Sequence, residues 1–97
     1  MTDLALNSRI QIRGTEHPVD LRHLLMAEML LTGDMIIDAS DVERMPTSIV
    51  QLLVATARDL NNEGRRCIIV NPSIAFTLAF ETLGLDCASG FFTTEYV

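Results

Sequence analysis

Lysine is missing from this chain: all seven basic residues are Arg, against thirteen Asp and Glu, and the formal net charge is −6. An acidic chain without a basic tract is poorly matched to nucleic acid or to an anionic membrane surface. The lack of lysine itself points to genome composition rather than to mechanism. Cysteine is scarce as well. Cys67 and Cys87 form no CxxC pair and stand near no histidine at a metal spacing, so they read as two buried thiols in a reducing compartment. The opening Met1-Thr2-Asp3-Leu4 has neither the basic start nor the long apolar core of a secretory leader, and no apolar run reaches bilayer-spanning length. These absences point to the cytoplasm, with no direct membrane insertion. Charge is low at 21% against 48% apolar residues, which describes a globular chain and not a disordered one. Ninety-seven residues without a repeat or a linker make one domain over 1–97 with a single modest core.

Catalytic signatures are also lacking. There is no phosphate-binding loop and no dinucleotide fingerprint. Ser48 has no flanking glycines, which excludes a nucleophile elbow. Asp38, Asp41 and Glu43 are not followed by the glycine-turned loop of a calcium site, so turn and cap roles are expected for them. His17 and His23 straddle Pro18 at a spacing that does not share one helix face, which makes them surface histidines. The expectation is a protein with no metal and no cofactor that is not an enzyme.

What the chain does contain is organised around Asp34 to Val70. The apolar run Met35-Ile36-Ile37 ends at Asp38. A loop through Met45-Pro46-Thr47-Ser48 follows, then a helical pattern from Ile49 to about Asn62, a stop at Gly64, and a second apolar run Cys67-Ile68-Ile69-Val70. Two short β-rich runs around one amphipathic helix read as a right-handed βαβ unit. Upstream, Leu4-Ala5-Leu6 and the alternating Arg9–Arg13 allow a hairpin, and a helix is expected from Val19 to Leu31 between Pro18 and the stop at Gly33. Downstream, Asn71-Pro72-Ser73 opens a third helix to about Leu83, with Gly84 as its left-handed stop. The tail from Asp86 to Val97 supplies one last strand. The fold class is therefore α/β: a mixed sheet of about four or five strands with helices packed against it.

Functional groups in such units collect where strands end and helices begin. That junction presents two adjacent hydroxyls, Thr47 and Ser48. Ser48 with Gln51 three residues on satisfies the capping-box pattern, so Ser48 as a helix cap is the plainer reading. A phosphoacceptor is the other, since a phosphate there meets free backbone N–H groups and the positive end of the helix dipole. The small, polar helix face of Gln51, Ala55 and Arg58 leads away from the pair. In the third helix apolar residues occupy nearly the whole circumference, so Phe76 or Phe80 is expected to stay accessible and to mark a partner surface.

An apolar strand ending in Asp38-Ala39-Ser40, then Val42, then hydroxyls opening a Leu-rich helix resembles STAS domains, the fold of bacterial anti-sigma factor antagonists. Related domains occur in chemotaxis operons and in lipid-transport ABC complexes. Leu83-Gly84-Leu85 matches the place where that family's third helix ends. The resemblance covers roughly Arg9 to Phe92, with an abbreviated N-terminal hairpin and no final helix. Where the family often has Asp-Ser-Ser-Gly, this chain has Pro46, Thr47, Ser48 and Ile49, keeping two of the four residue types. The resemblance implies a regulatory interaction module that binds a protein partner through Met45, Pro46, Thr47, Ser48, Gln51, Ala55 and Arg58, with Phe76 and Phe80 as further contacts. It implies a switch by phosphorylation of Ser48 or Thr47. The partner would be an anti-sigma or serine kinase or a chemotaxis component, and a homodimer is compatible with this reading. The alternative is a constitutive STAS subunit of a lipid-transport complex, bound to an ABC ATPase.

Overall fold

The computed structural model describes residues 8–85 and 92–96. The chain runs β1 (Ser8–Gln11), α1 (Pro18–Glu28), β2 (Met35–Asp38), α2 (Thr47–Asn62), β3 (Cys67–Val70), α3 (Ile74–Thr82) and β4 (Phe92–Glu95). The strands pair in chain order and all are parallel, with Ser8 opposite Met35, Met35 opposite Cys67, and Cys67 opposite Phe92. Each step between parallel neighbours needs a crossover, and crossovers are right-handed. A sheet that grows in one direction therefore gathers α1, α2 and α3 on one face. An antiparallel partner, which a mixed sheet requires, would have to come from Leu4-Ala5-Leu6, and these lie outside the described residues.

The core follows from that arrangement. Ile10, Met35, Ile37, Cys67, Ile69 and Phe92 alternate along their strands toward the helices, which close over them with Leu21, Leu25, Leu53, Leu60, Phe76 and Phe80. Burial of Cys67 pushes its thiol up to about 12, so it stays protonated and unreactive in the folded chain. The other sheet face carries Arg9, Gln11, Ile36 and Asp38, exposed or half-buried.

Phe76 and Phe80 correct an expectation. Both are fully buried, with their rings stacked at 4.9 Å, and Phe80 meets Phe92 edge-on at 5.4 Å. Ile74 and Leu78 face outward instead. Large rings gain most from burial, so a helix that is apolar all round turns its aromatics to the sheet and leaves aliphatic residues outside. The first helix also ends earlier than expected, at Glu28, and Gly33 does not take the left-handed conformation that Gly64 and Gly84 take. Past its end, Arg65 organises the chain. The buried guanidinium donates to the carbonyls of Gly33 at 2.7 Å and Met29 at 2.9 Å, tying the end of α1 to the start of β3. Next to it, Asp34 accepts from the Arg66 backbone N–H at 2.9 Å and from its guanidinium at 3.0 Å. These bonds hold its carboxyl below the usual range.

Candidate functional site at the start of the second helix

The strand ends of β1 and β2 and the first turn of α2 form one polar edge. Asp38 accepts from the Ser40 hydroxyl at 2.7 Å and from the Ser40 backbone N–H at 3.0 Å. The two bonds turn the chain out of β2 and hold the Asp38 carboxyl below its ordinary value, with Arg9 adding a weaker pull. Buried Ala39 and Val42 anchor the loop from below. From the neighbouring strand, Gln11 donates to Asp41 at 2.7 Å. The turn after β1 is set by Gly14 at φ +85, where a Cβ would lie 1.7 Å from the Arg44 carbonyl oxygen. No other residue fits there, and the two loops meet backbone to backbone. Glu16 completes the turn by accepting from the Arg13 and Gly14 backbone N–H groups at 2.7 and 2.9 Å. Between the loops lies an open hollow of about 550 Å³ lined by Arg13, Thr15, Ser40, Asp41, Val42 and Glu43.

The first turn of α2 differs from the capping box expected there. Pro46 is the cap, and its carbonyl accepts from Ile49 at 3.0 Å and Val50 at 3.1 Å, with no side-chain cap. Proline's extended backbone starts the helix two residues earlier than a Ser48 cap would, which moves Thr47 and Ser48 inside the first turn. Both are exposed, and among the described residues neither hydroxyl makes a hydrogen bond. Ile49 is fully buried in the core, so its bulk does not stand beside them.

A model of the STAS domain matches residues 6–96 of this chain. The chain belongs to the STAS domain family. No curated protein and no solved structure matches it. STAS domains in general mediate protein–protein interactions and are not themselves enzymes. Among the described residues no helix is long and apolar enough to cross a membrane, and no group of three or more His, Cys, Asp and Glu is placed to hold a metal ion.

In this STAS domain the residues singled out in the sequence do not all converge. Met45 is half-buried against the core, Pro46 is exposed at the cap, and Gln51, Ala55 and Arg58 are exposed along α2. Ser48 and Gln51 share a hollow of about 380 Å³ with Pro18, Val19, Arg22 and Leu52. The adjoining hollow of about 450 Å³ continues along α1 and α2, where Arg22, Met26, Ala55 and Asp59 are among its lining. The two hollows form a groove between α1 and α2, and Phe76 and Phe80 line neither of them. Sequence reasoning missed the α1 wall. Val19, Arg22 and Met26 recur at helical spacing, and Val19 and Met26 are 50% and 53% exposed. Apolar residues off the core stripe of α1 were the available signal.

Proposed function

We propose that this STAS domain is a regulatory interaction module that docks a signalling partner on the first turns of α2, from Met45 to Arg58, and that phosphorylation of Ser48 or Thr47 releases it. The observation that carries this reading is the start of α2, which has no side-chain cap. Two exposed hydroxyls stand in its first turn, and the fold uses neither. A phosphoryl group placed there adds about two negative charges beside backbone N–H groups that tolerate them. On a chain of net charge −6, the same charges repel an acidic partner surface. The role is that of an anti-sigma factor antagonist or a chemotaxis-associated STAS protein in the bacterial cytoplasm.

The test is a pull-down from the native cell with wild-type protein beside Ser48→Asp and Thr47→Asp, with intact-mass spectrometry on the recovered wild type. The expected result is a kinase-fold or chemotaxis partner, identified by mass, that one Asp variant loses, together with a phosphate mass on part of the wild type. Unchanged binding by both variants and no phosphate would overturn the switch and leave a constitutive subunit, as in a lipid-transport complex.

A further inference from the structure

We infer that Arg22 is the positioning residue that holds a phosphoryl group on Ser48, so that modification fills the groove between α1 and α2 and engages its cation. The inference deepens the proposed switch and rests on Ser48 being its modified residue. Of the residues lining the hollow, Pro18, Val19, Arg22, Ser48, Gln51 and Leu52, Arg22 is the charged one and Ser48 the one that carries a hydroxyl. At about 380 Å³ the hollow has room for roughly a dozen waters, ample for a phosphoryl group. Arg22 is exposed and forms no ion pair among the described residues. Its acidic neighbour in the groove is Asp59, which lines the adjoining hollow together with it. Asp20 lies on the first turn of α1, and α2 carries no acid in its own first turn.

A guanidinium offers a planar fork of donors that suits a phosphate better than a single carboxylate. A phosphate on Ser48 would therefore draw Arg22 away from the Asp59 end of the groove. Thr47 does not line this hollow, because one residue along a helix turns the side chain by about 100°. The two candidate hydroxyls differ in whether they share this hollow with Arg22. A partner that reaches into the groove loses both the space and the cation when Ser48 is modified.

The test encodes phosphoserine at position 48 of the full chain, or at position 47 in place of Thr47, and follows the 31P shift against pH in each. The pairs are then repeated with Arg22→Gln and Arg22→Lys. The phosphate at 48 is expected to titrate about half a unit or more below the ordinary value near 6, to return toward it in Arg22→Gln, and to stay low in Arg22→Lys. The phosphate at 47 is expected to ignore both substitutions. An unmoved titration at 48 in Arg22→Gln, or equal movement at 47 and 48, would overturn the inference. Neither kinase nor partner enters this experiment. Absence of phosphate on protein from the native cell would sink the proposed switch and leave the Arg22 result standing.

Discussion

The second and third helices lie in the same layer, and each follows a short parallel strand, yet their first turns are built differently. α3 begins at Ser73, whose hydroxyl accepts from the Phe76 backbone N–H at 3.1 Å. α2 begins at Pro46, with a carbonyl alone to receive the first helical N–H groups. One serine is consumed by the fold, and the other is left over. The faces differ in the same sense. α3 hides both of its aromatics and shows solvent Ile74 and Leu78, while α2 buries a continuous stripe from Ile49 to Leu60 and presents Ser48, Gln51, Ala55 and Arg58. A hydroxyl at a helix start indicates function only when something else has capped the helix.

The comparison can be broken most severely through the buried half of α3. Phe76→Ala should cost about 3–5 kcal/mol in urea unfolding, whereas Leu78→Ala on the exposed side should stay within about 0.5 kcal/mol. Equal losses would show that the inward and outward faces have been misassigned. Next comes the loop that delivers the chain to α2. Gly14→Ala forces a Cβ onto the Arg44 carbonyl and strains a left-handed backbone, so a loss of about 2–4 kcal/mol is expected, with amide shifts across residues 39–46 in NMR.

The capping contrast gives a smaller and sharper effect. Ser73→Ala should destabilise by about 1 kcal/mol, and Ser48→Ala by less than about 0.5 kcal/mol. A full cap-sized loss at Ser48 would contradict the carbonyl-only start of α2. Acid titration separates the two ends of β2. Asp34 and Asp38 both have folded values below the ordinary 3.8. Their contribution is therefore complete above that value and is lost as pH falls through the folded ones. Unfolding midpoints should drop below about pH 4, and Asp38→Asn and Asp34→Asn should each flatten part of that drop. An unchanged slope in both variants would place the acid sensitivity elsewhere.

Much of the fold was legible because its strongest signals are local. The strands at 35–38 and 67–70 stand out as short β-branched runs between turn residues, and α2 was found to within two residues of its start. Gly84 and Ser73 act as their positions predict. The misreadings have a common physical origin. An all-apolar helix such as α3 carries no periodic contrast, so its inward side is decided by the sheet beneath it and not by its own sequence. At Ser48 the capping-box pattern is present but loses to Pro46, which starts the helix two residues sooner. Gly14 and Arg65 act across 30 and 36 positions, on Arg44 and Met29, and only the folded chain brings those groups together. Arg22 shares its face of α1 with Val19 and Met26, and nothing in α1 alone shows that α2 brings Ser48 beside it.

The order of the sheet has a dynamic consequence. β2 and β3 are flanked on both sides by described strands, while β1 and β4 are the outermost of the four. Amide hydrogens in Ile36–Asp38 and Ile68–Val70 should therefore be the last to exchange with deuterated water, since freeing them requires the central ladder to part. Fraying at either border leaves that ladder in place. The loop leading to Thr47 and Ser48 leaves from one of these two strands, and the helix that bears them returns to the other. The surface proposed to meet a partner hangs from the part of the molecule that opens last.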